Sequence, residues 1–254
     1  MPSNIGHNCF TPPSNPEVKI WRYMDFTKFV SMLETSSLFL SRATEFEDPY
    51  EGSWPRANRD PQALLKIGVP ETLDLSGMSE MSRSMRYWTY VNCWHMNERE
   101  SAAMWKLYAK TDEAVAIQST YTRLHNCLPD KSYIGVVNYI DYENQMIPFD
   151  NVFWPYTHKR LSFEHERELR VIEVDFPSSA AVAAAKAANL QTSDWERETP
   201  KGKLINIEIK QLIEAVYVSP TAPPWFFDLV EAVVNRYKCG FNAKQSDMAR
   251  TPIF

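Results

Sequence analysis

Glycine is scarce in this chain, seven residues in 254, while proline reaches seventeen. Loops built that way are stiff, and a glycine-rich cradle whose backbone amides close around a phosphate is not expected. Positive charge is also short: 27 Lys and Arg against 32 Asp and Glu leave a formal net charge of -5. That balance argues against a protein-wide electrostatic grip on nucleic acid, though a local basic groove stays compatible with it. The four cysteines, Cys9, Cys93, Cys127 and Cys239, are scattered and form no C-x-x-C pair. His7, His95, His125, His158 and His165 show neither H-x-x-x-H spacing nor a paired cysteine, so no metal is expected. Neither a signal peptide nor a long apolar run can be read. That predicts reduced thiols, a bacterial-type cytoplasmic location and no membrane partner.

What the chain does have is aromatic mass: eight Trp, twelve Tyr and thirteen Phe. Large rings supply buried area and also line ligand clefts. The length allows one large domain or two small ones. The patterning is read as a single α+β domain over residues 19–254, after a proline-rich flexible arm at 1–18.

Along that domain a strand is expected at 19–23. A helix follows, capped by Asp25 and carrying Phe26, Phe29, Val30 and Leu33 at helical spacing, and then a strand at 38–42 that ends on Arg42. Glu45, Glu47, Asp48 and Glu51 fall within seven positions, on a turn set by Asp48-Pro49 and closed by Gly52. Residues 53–85 are weakly patterned, with a short helix at 61–67 and a Ser- and Met-rich stretch at 73–85. A lid or insertion over a cleft and a plain connecting helix both fit them. A strand at 87–94 leads to a helix capped by Asn97, with Glu98 and Glu100 in its first turn and Trp105 and Tyr108 three apart. Further strands are expected at 114–118, 133–142, 204–209 and 215–219, with a short helix at 120–127. An alanine-rich helix at 178–190 and a polar loop at 194–203 make 178–203 peripheral. An amphipathic helix at 225–238 and an edge strand at 241–249 complete the chain. The fold class expected is α+β, with mixed or antiparallel central sheets and flanking helices.

The densest chemistry lies between Lys159 and Asp175. If strand geometry already holds at Glu166, alternation puts Glu166, Glu168 and Arg170 on one face. Two carboxylates held together repel, so at least one pKa rises unless a cation such as Lys159 or Arg160 compensates. That arrangement builds an acid–base centre. A solvated edge strand with a salt-bridge ladder is the plainer alternative.

Four blocks carry a resemblance: Trp21-Arg22-Tyr23; Phe46-Glu47-Asp48-Pro49-Tyr50-Glu51; Cys93-Trp94 with Met104-Trp105-x-x-Tyr108-Ala109; and Phe163-x-x-Glu166-x-Glu168-x-Arg170. Over about residues 19–220 they resemble the bacterial domain of unknown function 2971 family, whose pattern runs F-N-D-P-F-E, C-F, M-W-x-x-Y-A and W-x-x-E-x-E-x-R. Glu47 replaces the usual Asn, Trp94 the usual Phe and Phe163 the usual Trp. More distantly the layout resembles the ADP-ribosyltransferase fold, a split sheet around a cleft. There an early Arg or His grips NAD, an aromatic stacks on nicotinamide and a late Glu drives transfer.

What these resemblances imply is an NAD-dependent transferase or glycohydrolase. Glu168 would stabilise the positive ribose, with Glu166 as second acid. Arg22 would hold a phosphate, with Arg170, Tyr23, Tyr108 and Trp105 lining the NAD cleft. Arg42, Asp48, Glu51 and Lys159 would complete the network. The acceptor could be a protein, a nucleic acid or a small molecule. A toxin or anti-phage role with an inhibitory or effector partner follows from how such families occur. Two alternatives stay open. One is a metal-dependent nuclease or phosphoesterase using Asp48, Glu51, Glu166 and Glu168 with Lys159, although Glu168-x-Arg170 stands where Glu-x-Lys is wanted. The other is a binding module without catalysis, its ion network purely structural.

Overall fold

The structure, a computed structural model, describes residues 6–66, 68, 70, 74–109, 111–188 and 199–253. It is a mixed α+β fold around a mostly antiparallel sheet of nine strands. The strands of that sheet are β1 (Lys19–Asp25), β2 (Ser37–Arg42), β3 (Thr89–Met96), β4 (Ala114–Thr120), β5 (Tyr133–Val136), β8 (Glu168–Val174), β9 (Gly202–Asn206), β10 (Ala215–Val218) and β11 (Ala243–Gln245). Two short strands, β6 (Asn138–Ile140) and β7 (His158–Arg160), pair in parallel as a separate ribbon. The helices are α1 (Phe26–Thr35), α2 (Pro61–Lys66), α3 (Leu75–Trp88), α4 (Ala102–Tyr108), α5 (Tyr121–Cys127), α6 (Ser179–Ala187), α7 (Ile209–Leu212) and α8 (Pro224–Arg236). None of the described helices is long and apolar enough to cross a membrane.

Strand alternation sorts the sheet into two faces. Ile20, Met24, Tyr90, Trp94, Val115, Ile117, Leu169 and Val171 form one face, packed with Phe29 and Leu33 of α1, Leu124 of α5 and Phe226 and Val230 of α8. Burial on this scale, about 25 cal/mol per Å² of apolar surface, is the main stabilising term. On the other face Trp21 and Tyr23 pack with Met104 and Trp105 of α4.

The sheet forks at β3. Along one edge β3 is registered with β8 from Thr89 to His95. On its other edge it meets β2 only at Tyr90 and Val91, and β1 only at His95 and Met96. Between those contacts β1 and β2 have parted. Two side chains bridge the gap: Asn92 Nδ2 donates to the Phe39 carbonyl at 2.8 Å, and Arg22 Nη1 to the Cys93 carbonyl at 2.6 Å.

Several local expectations are corrected. Residues 6–18 are not a free arm: Phe10 is buried and stacks on Tyr133 at 4.9 Å. Its backbone also lies where a side chain on Gly135 would be. The strand expected at 133–142 is two strands in different sheets. Helix α3 runs to Trp88, so β3 starts two residues later than its aromatic pattern suggests. Helix α4 is capped by Ser101, whose side chain accepts from Met104 N, rather than by Asn97. Residues 189–190 of the alanine-rich helix, 194–198 of the polar loop, 67, 69 and 71–73 of the expected lid, and 1–5 of the arm lie outside the described residues.

Candidate active site: a buried charge network beside the fork

Glu166 does not belong to a strand. Leu161–Glu166 is a 3-10 helix, Arg167 turns the chain through φ 43°, and β8 begins only at Glu168. The expected alternation through Glu166 therefore fails, yet the tight turn returns its carboxylate to the same place. Lys159, on β7, pairs with both Glu166 and Glu168, the latter at 2.6 Å. Arg170 Nε donates to Glu168 at 2.6 Å, and its two terminal nitrogens grip Glu51 at 2.5 and 2.9 Å. The Tyr156 carbonyl accepts a further bond from Arg170 at 2.8 Å. Tyr139 accepts from the Glu168 amide at 2.8 Å, and Tyr108 donates to Glu166 at 3.3 Å.

All five charged groups of this chain of contacts are buried. Three carboxylates face two cations, and the missing positive charge falls on Glu166. Burial, a hydrogen bond to Glu168 and repulsion from its charge push the Glu166 carboxyl up to about 7, against the pull of Lys159. Burial acts the same way on Glu168, but the charges of Arg170 and Lys159 and the bond from Glu166 outweigh it and hold Glu168 well below the usual range. The two carboxyls thus act as a proton-sharing pair with unequal members.

Arg22 approaches this network through the fork. It forms no ion pair with another described residue, neither Glu51 nor Glu166 among them, and donates instead to the Cys93 carbonyl. Burial lowers its pKa, and the titratable groups acting on it are Cys93 and Tyr108. Cys93 stands opposite Arg170 across the β3–β8 ladder, and burial together with the Glu168 charge raises its thiol. Cys93 and Tyr108 thus act on Arg22 on one side and feel the charge of the paired acids on the other.

Other expected site residues fall elsewhere or are occupied. Tyr23 and Trp105 pack edge to face at 4.9 Å; the Tyr23 hydroxyl accepts from Ser101 N and the Trp105 indole donates to Glu100. Neither ring is free to stack on a ligand. Tyr108 is 42% exposed and keeps an open ring. Arg42 is anchored in a separate cluster of Thr44, Glu45 and Thr199. Asp48 pairs with Arg160 at 2.7 Å, while Arg170 locks Glu51 and Glu168 and not Asp48 and Glu166. All four acids named for a divalent ion are thus engaged by Arg160, Arg170 or Lys159. Among the described residues no group of three His, Cys, Asp or Glu is placed to hold a metal.

Sequence reasoning missed Tyr139, His95 and Tyr156. His95 Nδ1 lies 2.7 Å from the Glu166 carbonyl and fixes the turn that aims the carboxylate. No local signal marks these three, because each reaches the network from a different element. All four blocks that carry the family resemblance contribute to this one locale: Arg22, Glu51, Cys93 with Tyr108, and Glu166 with Glu168 and Arg170. No family model, no curated protein and no solved structure matches the chain.

Proposed function

We propose that this chain is an NAD-dependent transferase or glycohydrolase of the ADP-ribosyltransferase type, acting as a toxin or anti-phage effector, with the fork at β3 as the NAD cleft. The observation that carries the reading is Arg22, a guanidinium without an acidic partner among the described residues, held at the fork on the Cys93 carbonyl and acted on by Tyr108, the residue that donates to Glu166. A planar cation with unused donors suits a pyrophosphate, and the open ring of Tyr108 suits the nicotinamide. The resemblance to the domain of unknown function 2971 family is part of the same proposal.

In this reading the bond between the ribose C1′ and the nicotinamide nitrogen breaks, its electron pair leaves with nicotinamide, and positive charge develops on the ribose. Negative charge retained on Glu168 favours that state. Glu166, when ionised, takes the proton of the attacking acceptor hydroxyl, amine or water as the new bond to C1′ forms. The roles shift relative to the sequence-based expectation. Glu168, tied to Arg170 and Lys159, is the fixed charge, and Glu166 is the proton carrier.

The test is nicotinamide release from NAD by the native chain and by Arg22→Gln, Glu166→Gln and Glu168→Gln, with and without chelator. Release that is lost in the Glu variants and indifferent to chelator supports the reading. A second reading, ligand binding without turnover, is favoured by the occupancy of every network acid by a cation. Saturable NAD binding with no nicotinamide release would select it. Magnesium-dependent phosphodiester cleavage would select the nuclease.

A further inference from the structure

A separate chamber lies on the far side of the Glu51–Gly52 turn from the network. Its first compartment, about 180 Å³, is lined by Gly52, Trp54, Arg59, Ser79, Ser82, Arg83 and Arg86. A second, about 220 Å³, shares Gly52, Trp54 and Ser82 and adds Met78, Met81, Met85 and Phe149. Each is smaller than the roughly 300 Å³ at which small-molecule sites begin, and the two adjoin at Gly52, Trp54 and Ser82.

The chemistry of the two compartments differs. Ser79, Ser82, Arg83 and Arg86 recur at i, i+3, i+4 and i+7, which stacks them on one face of α3. Arg59 joins them from the neighbouring 3-10 turn, its guanidinium on Ser79 Oγ. Three arginines thus border the first compartment. Among the described residues the one acid paired with them, Glu80, sits 3.6 Å from Arg83 in an exposed contact that contributes little. Arg86 borders the compartment together with Arg59 and Arg83. The guanidinium groups that line it offer charge-assisted donors to an oxyanion with several acceptor oxygens. In the second compartment a methionine stripe adjoins Trp54. The Trp54 ring is stacked on Phe149 at 5.3 Å and its indole N–H is fixed on Ser82 at 2.6 Å. A pinned indole flanked by thioethers is a platform for a flat ring.

We infer that this chamber binds a phosphorylated aromatic small molecule of the nucleoside monophosphate class, phosphate against Arg59, Arg83 and Arg86 and ring against Trp54 and the methionines. The inference stands independently of the transferase reading, because it shares none of Arg22, Tyr108, Glu166 or Glu168. It also gives Trp54, Arg59 and the lining face of α3 a role as the wall of a ligand site.

The experiment is calorimetric titration of the full chain with adenosine monophosphate, adenosine and inorganic phosphate in turn. Saturable binding is expected in the order adenosine monophosphate, phosphate, adenosine. Arg86→Gln should weaken adenosine monophosphate by about tenfold or more, the loss of one charge-assisted bond. Arg83→Gln, an exposed change that spares folding, should weaken it by a smaller factor and reduce its salt dependence. No saturation by adenosine monophosphate, equal affinity for adenosine, or native affinity in both the Arg83 and Arg86 variants would overturn the assignment. So would loss of binding in Arg22→Gln alone, which would move the nucleotide to the fork. Should Arg86→Gln fail to fold, Arg59→Gln with Arg83→Gln decides the same question.

Discussion

Arg170 and Glu51 stand 119 positions apart in the chain and form a two-pronged ion pair, each side chain 1% exposed. This pair ties the acidic turn to β8, and through Glu168 it fixes the charge balance of the whole network. Replacing Arg170 by Gln strands Glu51 as a buried carboxylate without its cation and leaves Glu168 with Lys159 alone. A loss of about 3–5 kcal/mol in denaturant unfolding is expected. Arg170→Lys should not restore it, since an ammonium cannot reproduce the two-pronged grip. Native-like stability in either variant would mean that the network is not what holds the turn.

The pH dependence of stability carries two signs. Folded Glu166 keeps its proton up to about pH 7, against an ordinary value of 4.5. Between those values the folded state holds more protons than the unfolded chain, so this group makes stability decline as pH rises through the window. Glu168 acts oppositely. Its folded value lies well below 4.5, so its contribution is present above the unfolded value and is lost as pH falls through the folded one. Unfolding curves taken from acid to neutral pH should show both limbs. Glu166→Gln should flatten the neutral limb and leave the acid limb in place.

Lys159 lies between the two carboxylates, and its removal tests how the proton is shared. In Lys159→Met both acids lose an attractive charge, so the titration of the pair should move upward. Carboxyl carbon shifts in a Glu-labelled sample would read this directly. An unmoved titration would mean that Lys159 exerts no pull on the pair.

Phe10 reports whether the segment before β1 belongs to the fold. Its side chain is 2% exposed and contacts Tyr133 and Phe153. Phe10→Ala should cost about 3–5 kcal/mol, as for other buried aromatics. A free arm would show no change.

Gly52 is the hinge between network and chamber. It sits at φ +71°, and an added Cβ would meet the Tyr156 ring at 2.6 Å. Gly52→Ala should destabilise by more than about 1 kcal/mol through backbone strain and this clash. If the variant unfolds at the native denaturant midpoint, the turn is not held as described.

Much was legible from residue order alone. The apolar spacing of Phe26, Phe29 and Leu33 or of Phe226 and Val230 encodes helices, because periodicity is a local property of the chain. The Glu166-x-Glu168-x-Arg170 run likewise marked a concentration of charge in which a carboxyl rises unless a cation compensates. Tertiary structure decided the rest. That Leu161–Glu166 would coil, that Glu51 would meet Arg170, and that β1 and β2 would part around β3 depend on contacts between residues far apart in the chain, 71 positions for His95 and Glu166 and 119 for Glu51 and Arg170. No window of sequence contains both partners of such contacts. The sequence set which charges had to be neutralised; only the folded chain determined which partner did it, and that Arg22 was left over.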